Sequence, residues 1–345
     1  MQGALRGGGA LLGSDARTEP LLEVRDLDVR FRSGGAEVRA VRGVSFVVRA
    51  GETVGIVGES GCGKSVTALS LLRLVPDPPG RIAGGSIRLG GEDVLTMPEE
   101  RLRALRGGRV SMVFQDPFSS LNPTMRLGDQ VMEALRVHGR LSRAEAASRT
   151  LDLFRAVRLP SPETRMRQYP HQVSGGQRQR VMIAMAFAAD PELLIADEPT
   201  TALDVTVQAQ IMALMQDMQQ RTNAAVLLIS HDIALVAETC DRVLVMYAGQ
   251  VVEQGAADQV VRTPLHPYTI GLLESLPDLR ASSRKRLQSI PGQPPNPGEL
   301  GAGCAFAARC PMAMPVCRSR EPLATPLGDG REVRCFLREP SGSVQ

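Results

Sequence analysis

Short apolar runs separated by charged residues and glycines set the frame of this chain. From Leu21 to Val48 apolar positions alternate (Leu22, Val24, then Leu27, Val29, Phe31, then Val44, Phe46, Val48), which predicts an antiparallel sheet covering the core. The run Thr53-Val54-Gly55-Ile56-Val57 stops at Gly58, and Leu193-Leu194-Ile195-Ala196 stops at two adjacent carboxylates, Asp197 and Glu198. Wholly apolar runs of this length fit strands of a parallel sheet buried on both faces. Leu228-Ile229 closes another such strand just before Ser230 and His231, and 242–253 reads as a strand pair around Ala248-Gly249. Helical periodicity dominates 126–158 and returns over 178–189, where Val181 to Ala186 is apolar. Strands and helices in this order predict an α/β protein.

Folded structure is expected to begin near Pro20. The first eighteen residues are glycine-rich, with one basic residue ahead of a short apolar patch, which predicts a disordered tail and not a signal peptide. At 345 residues and 43% apolar, the chain can bury a full α/β core and carry a small additional module. A net charge of +3 is too slight to imply nucleic-acid binding, and the absence of Trp argues against base-stacking platforms. No run approaches the roughly 18 apolar residues needed to cross a bilayer. If the chain serves transport, other chains supply the channel.

Chemistry concentrates first at Gly58-Glu59-Ser60-Gly61-Cys62-Gly63-Lys64-Ser65, the phosphate-binding loop pattern G-x-x-x-x-G-K-S/T in its strand-to-helix setting. Glycines let successive amides, here 58 through Val66, point inward at phosphate oxygens, and the helix starting near Gly63 adds its positive end. Lys64 can reach the β- and γ-phosphates and Ser65 can place a hydroxyl on Mg²⁺. The bland alternative is a turn that binds nothing. Asp197, at a strand end, suits Mg²⁺ or its water shell. Glu198 points the opposite way on an extended chain and can polarise an attacking water. Paired surface carboxylates are ordinarily solvated charges, but the apolar strand ahead of these places them at the carboxyl edge of a sheet, where open α/β folds bind ligands. Val173-Ser174-Gly175-Gly176-Gln177 opens the helical run, and taken alone it reads as an N-cap, although the same geometry makes an anion site.

With that segment the chain resembles the ATP-binding cassette (ABC) family, whose signature L-S-G-G-Q carries Val173 here in place of leucine. The resemblance implies a P-loop NTPase (RecA-like) cassette with an antiparallel β subdomain and an α-helical subdomain at about 116–180. It also implies a head-to-tail dimer, in which Ser174, Gly175, Gly176 and Gln177 act on ATP held by a partner's loop. Gln115 matches the family's Q-loop, sensing Mg²⁺ and the water, and His231 matches the switch histidine at the family's spacing after Asp204, which is counted with the nucleotide-contacting positions. Phe31 lies where the family stacks an aromatic on adenine; its alternative is an ordinary alternating strand residue. His171 reads as a packing or hydrogen-bonding residue. The resemblance thus implies catalytic roles for Glu198, His231 and Gln115, with Mg²⁺ held by Ser65, Gln115 and Asp197.

Three further segments resemble ATPases of dipeptide, oligopeptide and nickel importers. They are Phe114-Gln115-Asp116-Pro117-Phe118-Ser119-Ser120-Leu121-Asn122-Pro123; His266-Pro267-Tyr268-Thr269 with Leu272-Leu273 and Ser275-Leu276-Pro277; and Ile290-Pro291-Gly292-Gln293-Pro294-Pro295. The division expected is a tail over 1–18, a nucleotide-binding domain over 19–260 and a C-terminal extension over 261–345. This resemblance implies two transmembrane permease subunits, a second ABC ATPase, an extracytoplasmic substrate-binding protein and a peripheral site on the cytoplasmic face of the cell membrane. Peptides stand ahead of nickel or glutathione as cargo, with a soluble, channel-free ABC ATPase as the other class.

Six cysteines divide into two kinds. Cys62 and Cys240 read as small buried residues. Cys304, Cys310, Cys317 and Cys335 lie within the last 42 residues at spacing C-x5-C-x6-C-x17-C. In a cytosolic ATPase four gathered thiols imply thiolates on a metal or a set of unligated thiols. Zinc more usually shows closer pairs, whereas a four-iron cluster accepts varied spacing. The resemblance implies a 4Fe–4S cluster in a small Cys-rich C-terminal module.

Overall fold

The computed structural model describes residues 19–116, 120–139, 141–201, 204–276 and 289–339. The expected tail over 1–18, together with Pro117, Phe118, Ser119 and Pro277 of the quoted motifs, lies outside the described residues.

The alternating N-terminal segment forms the expected antiparallel sheet. Strands β1 (Leu22–Ser33) and β2 (Ala36–Val48) pair with Leu22 opposite Val48 and Phe31 opposite Val38. Strands β3 (Thr53–Val57) and then β4 (Gly80–Leu89) and β5 (Glu92–Asp93) follow, and the sheet runs β2-β1-β4-β5. Its inner face carries Leu22, Val24, Leu27, Val29, Val44, Phe46 and Ile87, all buried. Alternation places one apolar face on the core and leaves charged residues such as Arg30, Glu37 and Arg81 paired outside.

The apolar runs become a buried sheet. β3, β6 (Val110–Val113), β7 (Leu193–Asp197), β8 (Ala225–Ser230) and β9 (Arg242–Tyr247) lie in the parallel order β9-β3-β8-β7-β6. Every residue of β3, β7 and β8 is buried. β9 turns back into β10 (Gln250–Ala256) through Ala248 (φ 45°) and Gly249 (φ 83°), two left-handed residues of the kind that matches strand twist in a two-residue hairpin.

Helices cover the sheet and project from it. α1 (Lys64–Leu71) follows β3, and α2 (Glu99–Leu105) precedes β6. A helical subdomain follows β6, comprising α3 (Leu127–Gly139), α4 (Arg143–Ala156), α5 (Pro162–Arg165) and α6 (Gly175–Ala186). α4 starts in a capping box, where Ser142 Oγ accepts from the Glu145 amide and Glu145 accepts from the Ser142 amide. α7 (Val205–Thr222), α8 (Ile233–Thr239), α9 (Ala257–Arg262) and α10 (Pro267–Glu274) complete the cassette and enter the extension.

The extension does not sit apart from the cassette. Beyond α11 (Val316–Ser319), short strands β11 (Thr325–Pro326) and β12 (Glu332–Val333) add to the central sheet, with Val333 opposite Glu253 of β10. Tyr268 and Phe306 belong to the same buried cluster as Val57 and Val245. Tyr247, Tyr268 and Phe306 pack ring on ring, with centroids 4.6–5.4 Å apart. Arg42 of β2 also pairs with Glu321. A run of prolines and glycines is thus ordered by borrowing the apolar core of the cassette.

Candidate active site

The phosphate loop occupies the turn from β3 into α1. Gly61 (φ 80°) and Gly63 (φ 103°) take left-handed conformations. A Cβ on Gly58 would lie 2.2 Å from the Met246 carbonyl oxygen, and one on Gly63 would lie 2.6 Å from that of Ala40. Backbone from both sheets therefore presses on the loop, and only glycine fits there. Gly249 N also donates to Cys62 O at 2.9 Å. Lys64 is 4% exposed, and its ammonium donates to the carbonyls of Gly58 (2.7 Å) and Glu59 (3.0 Å). Cys62 is buried as expected, and burial raises its thiol pKa.

The carboxylate pair stands at the carboxyl edge of β7, beside the loop. Asp197 is 5% exposed and accepts from Ser65 Oγ at 3.0 Å. Burial raises its pKa, so the anion is held at a cost that a cation would relieve. Glu198 has φ 46°, a strained setting for a non-glycine residue, and its amide donates to the Ile229 carbonyl. Three side chains converge on its Oε2: Thr201 Oγ1 donates at 2.8 Å, Gln115 Nε2 donates at 3.1 Å and His231 Nδ1 lies at 3.3 Å. The three sites named from sequence, Glu198, Gln115 and His231, meet at one oxygen. Thr201 carries no signal of its own in the sequence.

Other residues fall elsewhere. Ser174 caps α6, its amide donating to Gln177 Oε1 at 3.3 Å, and Gly175 faces open space. Val173 is 7% exposed in the core, so an apolar residue is what that position needs. Among the described residues no hydrogen bond joins the 174–177 segment to the phosphate loop. Asp204 caps α7 by accepting from the Val207 amide at 2.9 Å. The Phe31 ring lies beside Gly80 and Val75. His171 stacks on Tyr169, with ring centroids 5.7 Å apart.

Sequence reasoning missed a contact from the extension to the loop. Arg309, its side chain 5% exposed, holds both carboxylate oxygens of Glu59 at 2.6 and 2.9 Å. The Glu59 amide donates to the Tyr268 phenol oxygen at 2.8 Å. The two partners are 250 residues apart, and no local pattern marks them.

The four C-terminal thiols lie within electrostatic reach of one another, since the charges of the others raise the pKa of Cys335, which burial pushes up to about 11. Each sulfur is met by a backbone amide: that of Phe306 at Cys304, Met312 at Cys310, Met314 at Cys317 and Leu337 at Cys335. Such donors suit thiolate ligands. Even so, among the described residues no three His, Cys, Asp or Glu are arranged to hold a metal ion, so the expected metal-bound module does not emerge as a closed ligand set.

Comparison with known proteins agrees with this geometry. The ABC transporter family matches residues 41–201, and the C-terminal region of oligopeptide/dipeptide transporters matches 252–317. The oligopeptide transport ATP-binding protein OppD of Escherichia coli (strain K12) is 51% identical over 322 residues, 93% of this chain and 94% of the relative. OppD of Bacillus subtilis (strain 168) is 48% identical over 324 residues, 94% of this chain and 90% of the relative. The chain belongs to the ABC transporter family. Among solved structures, the dimeric post-hydrolysis state of the ATP-binding cassette MJ0796 bound to ADP and Pi superposes with a TM-score of 0.62 at 26% identity, covering 68% of this chain and 98% of that one. The cassette cbiO1 from Clostridium perfringens, part of the transporter complex cbiONQ, gives 0.59 at 27% identity, covering 70% and 90%. The chain is therefore an ABC ATPase.

Proposed function

We propose that this ABC ATPase powers uptake of dipeptides and oligopeptides, working as a pair of cassettes bound to two transmembrane permease subunits and supplied by an extracytoplasmic substrate-binding protein. The observation that carries the reading is the Ser65–Asp197 hydrogen bond beside a Glu198 oxygen on which Gln115, Thr201 and His231 converge. Gly58 and Gly63 leave the cradle into which phosphate oxygens fit, and Lys64 would leave its two carbonyls for the β- and γ-phosphates. Ser65, Asp197 and Gln115 would hold Mg²⁺, which supplies charge neutralisation. Glu198 takes the proton of the attacking water, with its orientation fixed by Thr201, Gln115 and His231. Ser174, Gly175 and Gly176 serve the loop of the paired cassette, and the exposed Ser174 and the open space at Gly175, at the tip of α6, support use in trans.

An apolar groove of about 320 Å³ between sheet and helical subdomain, lined by Leu72, Leu74, Phe114, His138, Met182 and Met185, supports docking of a permease helix. Phe114 is 42% exposed there. No helix among the described residues is long and apolar enough to cross a membrane, and the peripheral cytoplasmic location belongs to this proposal. Similarity to the OppD oligopeptide transport ATP-binding proteins supports peptides as cargo over nickel or glutathione, and membership in the transporter family disfavours a channel-free ATPase.

The reading is tested by assembling the chain with permease and binding protein in lipid nanodiscs and measuring phosphate release. Peptides should stimulate turnover. Stimulation by nickel chelates or glutathione alone would overturn the peptide assignment.

Cys304, Cys310, Cys317 and Cys335 would hold a 4Fe–4S cluster once drawn together, a reading supported by the amide at each sulfur. When bound, it would clamp segments that have little apolar material of their own. Protein purified without oxygen should be brown and carry iron and sulfide; colourless, iron-free protein refutes the cluster.

A further inference from the structure

We propose that the C-terminal extension presets the phosphate loop, with Arg309 and Tyr268 as positioning residues that hold Glu59 and neutralise its carboxylate beside the triphosphate site. The inference rests on the assignment of residues 58–65 to ATP.

Glu59 is gripped at three groups. Its amide donates to Tyr268 Oη (2.8 Å), its carbonyl accepts from Lys64 Nζ (3.0 Å), and its carboxylate takes the forked guanidinium of Arg309 (2.6 and 2.9 Å). Arg309 is itself fixed from the extension and the core. Its Nε donates to Pro291 O at 2.9 Å, NH1 donates to Tyr247 Oη at 3.3 Å, and its charge lies 5.8 Å from the Tyr247 ring centre. Tyr268 is fully buried in the aromatic cluster with Tyr247 and Phe306. These anchors come from the extension and β9, while their target is the second residue of the loop. A forked, desolvated guanidinium defines direction as well as charge, which a lysine would not do.

The electrostatic consequence has a sign. Glu59 places a carboxylate in the loop that must receive a polyanion. Paired, it is neutral to ATP; with Arg309 removed, it repels ATP and leaves the loop free to move. With Glu59 neutralised instead, Arg309 becomes an unpaired cation near the phosphates and attracts them. A contact that served stability alone would produce no such opposition.

The experiment uses the full chain in the assembled importer, with KM for ATP and kcat measured for Arg309→Met, Glu59→Gln and the double variant. Arg309→Met should raise KM about tenfold, about 1.4 kcal/mol, at nearly constant kcat. Glu59→Gln should lower KM. The double variant should return KM to within about threefold of wild type, because the repelling charge is gone. Arg309→Lys and Tyr268→Phe preserve bulk should Arg309→Met fail to fold, and each should raise KM by about threefold or more.

Wild-type KM values in Arg309→Lys, Tyr268→Phe and Arg309→Met, with only the melting temperature lowered, would overturn the inference. A KM raised equally by Glu59→Gln and Arg309→Met would do the same. A wild-type chain that binds no ATP in the same assay would overturn the nucleotide assignment and the inference with it, so the two failures are distinguishable.

Discussion

Replacing Glu198 by Gln removes a base while changing almost no volume, and the structure says how the site would respond. Oε2 of Glu198 faces Thr201 Oγ1, Gln115 Nε2 and His231 Nδ1, all within 3.3 Å. A glutamine amide would turn its carbonyl oxygen to these groups and keep the side chain in place, so the φ 46° backbone and the Ser65–Asp197 bond should survive. What is lost is the capacity to accept a proton from water, for which general-base catalysis typically contributes about 10²–10⁴-fold, or about 3–5 kcal/mol of barrier. ATP affinity should stay within about threefold, because the phosphate-facing amides and Lys64 are untouched. The assay is phosphate release by the assembled importer beside equilibrium ATP binding, with light scattering to follow the closed cassette pair, which should persist once ATP is bound. Turnover within about tenfold of wild type would remove Glu198 from the role of base. A loss of ATP binding equal to the loss of turnover would show that the carboxylate acts in the ground state.

Three other outcomes follow from geometry. Gly58→Ala should abolish nucleotide binding and cost about 1–3 kcal/mol of stability by urea unfolding, since its Cβ would sit 2.2 Å from the Met246 carbonyl oxygen; wild-type binding would refute the cradle. His266 is 1% exposed and held neutral, with burial pulling its pKa down to about 4, so its stabilisation is complete above about pH 6.5 and lost as pH falls toward 4. Glu253, whose pKa burial raises, offsets part of this in the same window, and the net acid slope, on the order of 3 kcal/mol at most, should shrink in His266→Asn measured by denaturation between pH 7 and 4. Phe114→Asp should leave ATP binding intact yet abolish peptide-stimulated turnover by uncoupling the permease; normal stimulation would dismiss the groove as its seat.

Local chemistry was legible in the sequence where neighbours in the chain are also neighbours in space. The phosphate loop, the Asp197-Glu198 pair and the Ala248-Gly249 hairpin are each written within a few residues, because strand ends and turns impose their own residue types. The convergence of Gln115 and His231 on Glu198 came only through resemblance, since the parallel order β8-β7-β6, and not any spacing, brings three strand ends side by side. Arg309 gave no signal at all. It lies in a segment of alanines and cysteines, and its partner is fixed by packing of the aromatic cluster against β9. β11 and β12 likewise gave no signal, because their two-residue pairings are too short to leave a periodic trace.

Those two short strands also bear on how far the chain can be cut. β12 covers Glu253 and Gln254 of β10, which would otherwise present their amides and carbonyls bare at the margin of a six-stranded sheet. Protein shortened after Arg262 would uncover that margin along with the apolar flank that Tyr268 and Phe306 conceal. Such a fragment of this chain invites sticky, strand-to-strand self-association, which the extension's two short strands and aromatic rings forestall.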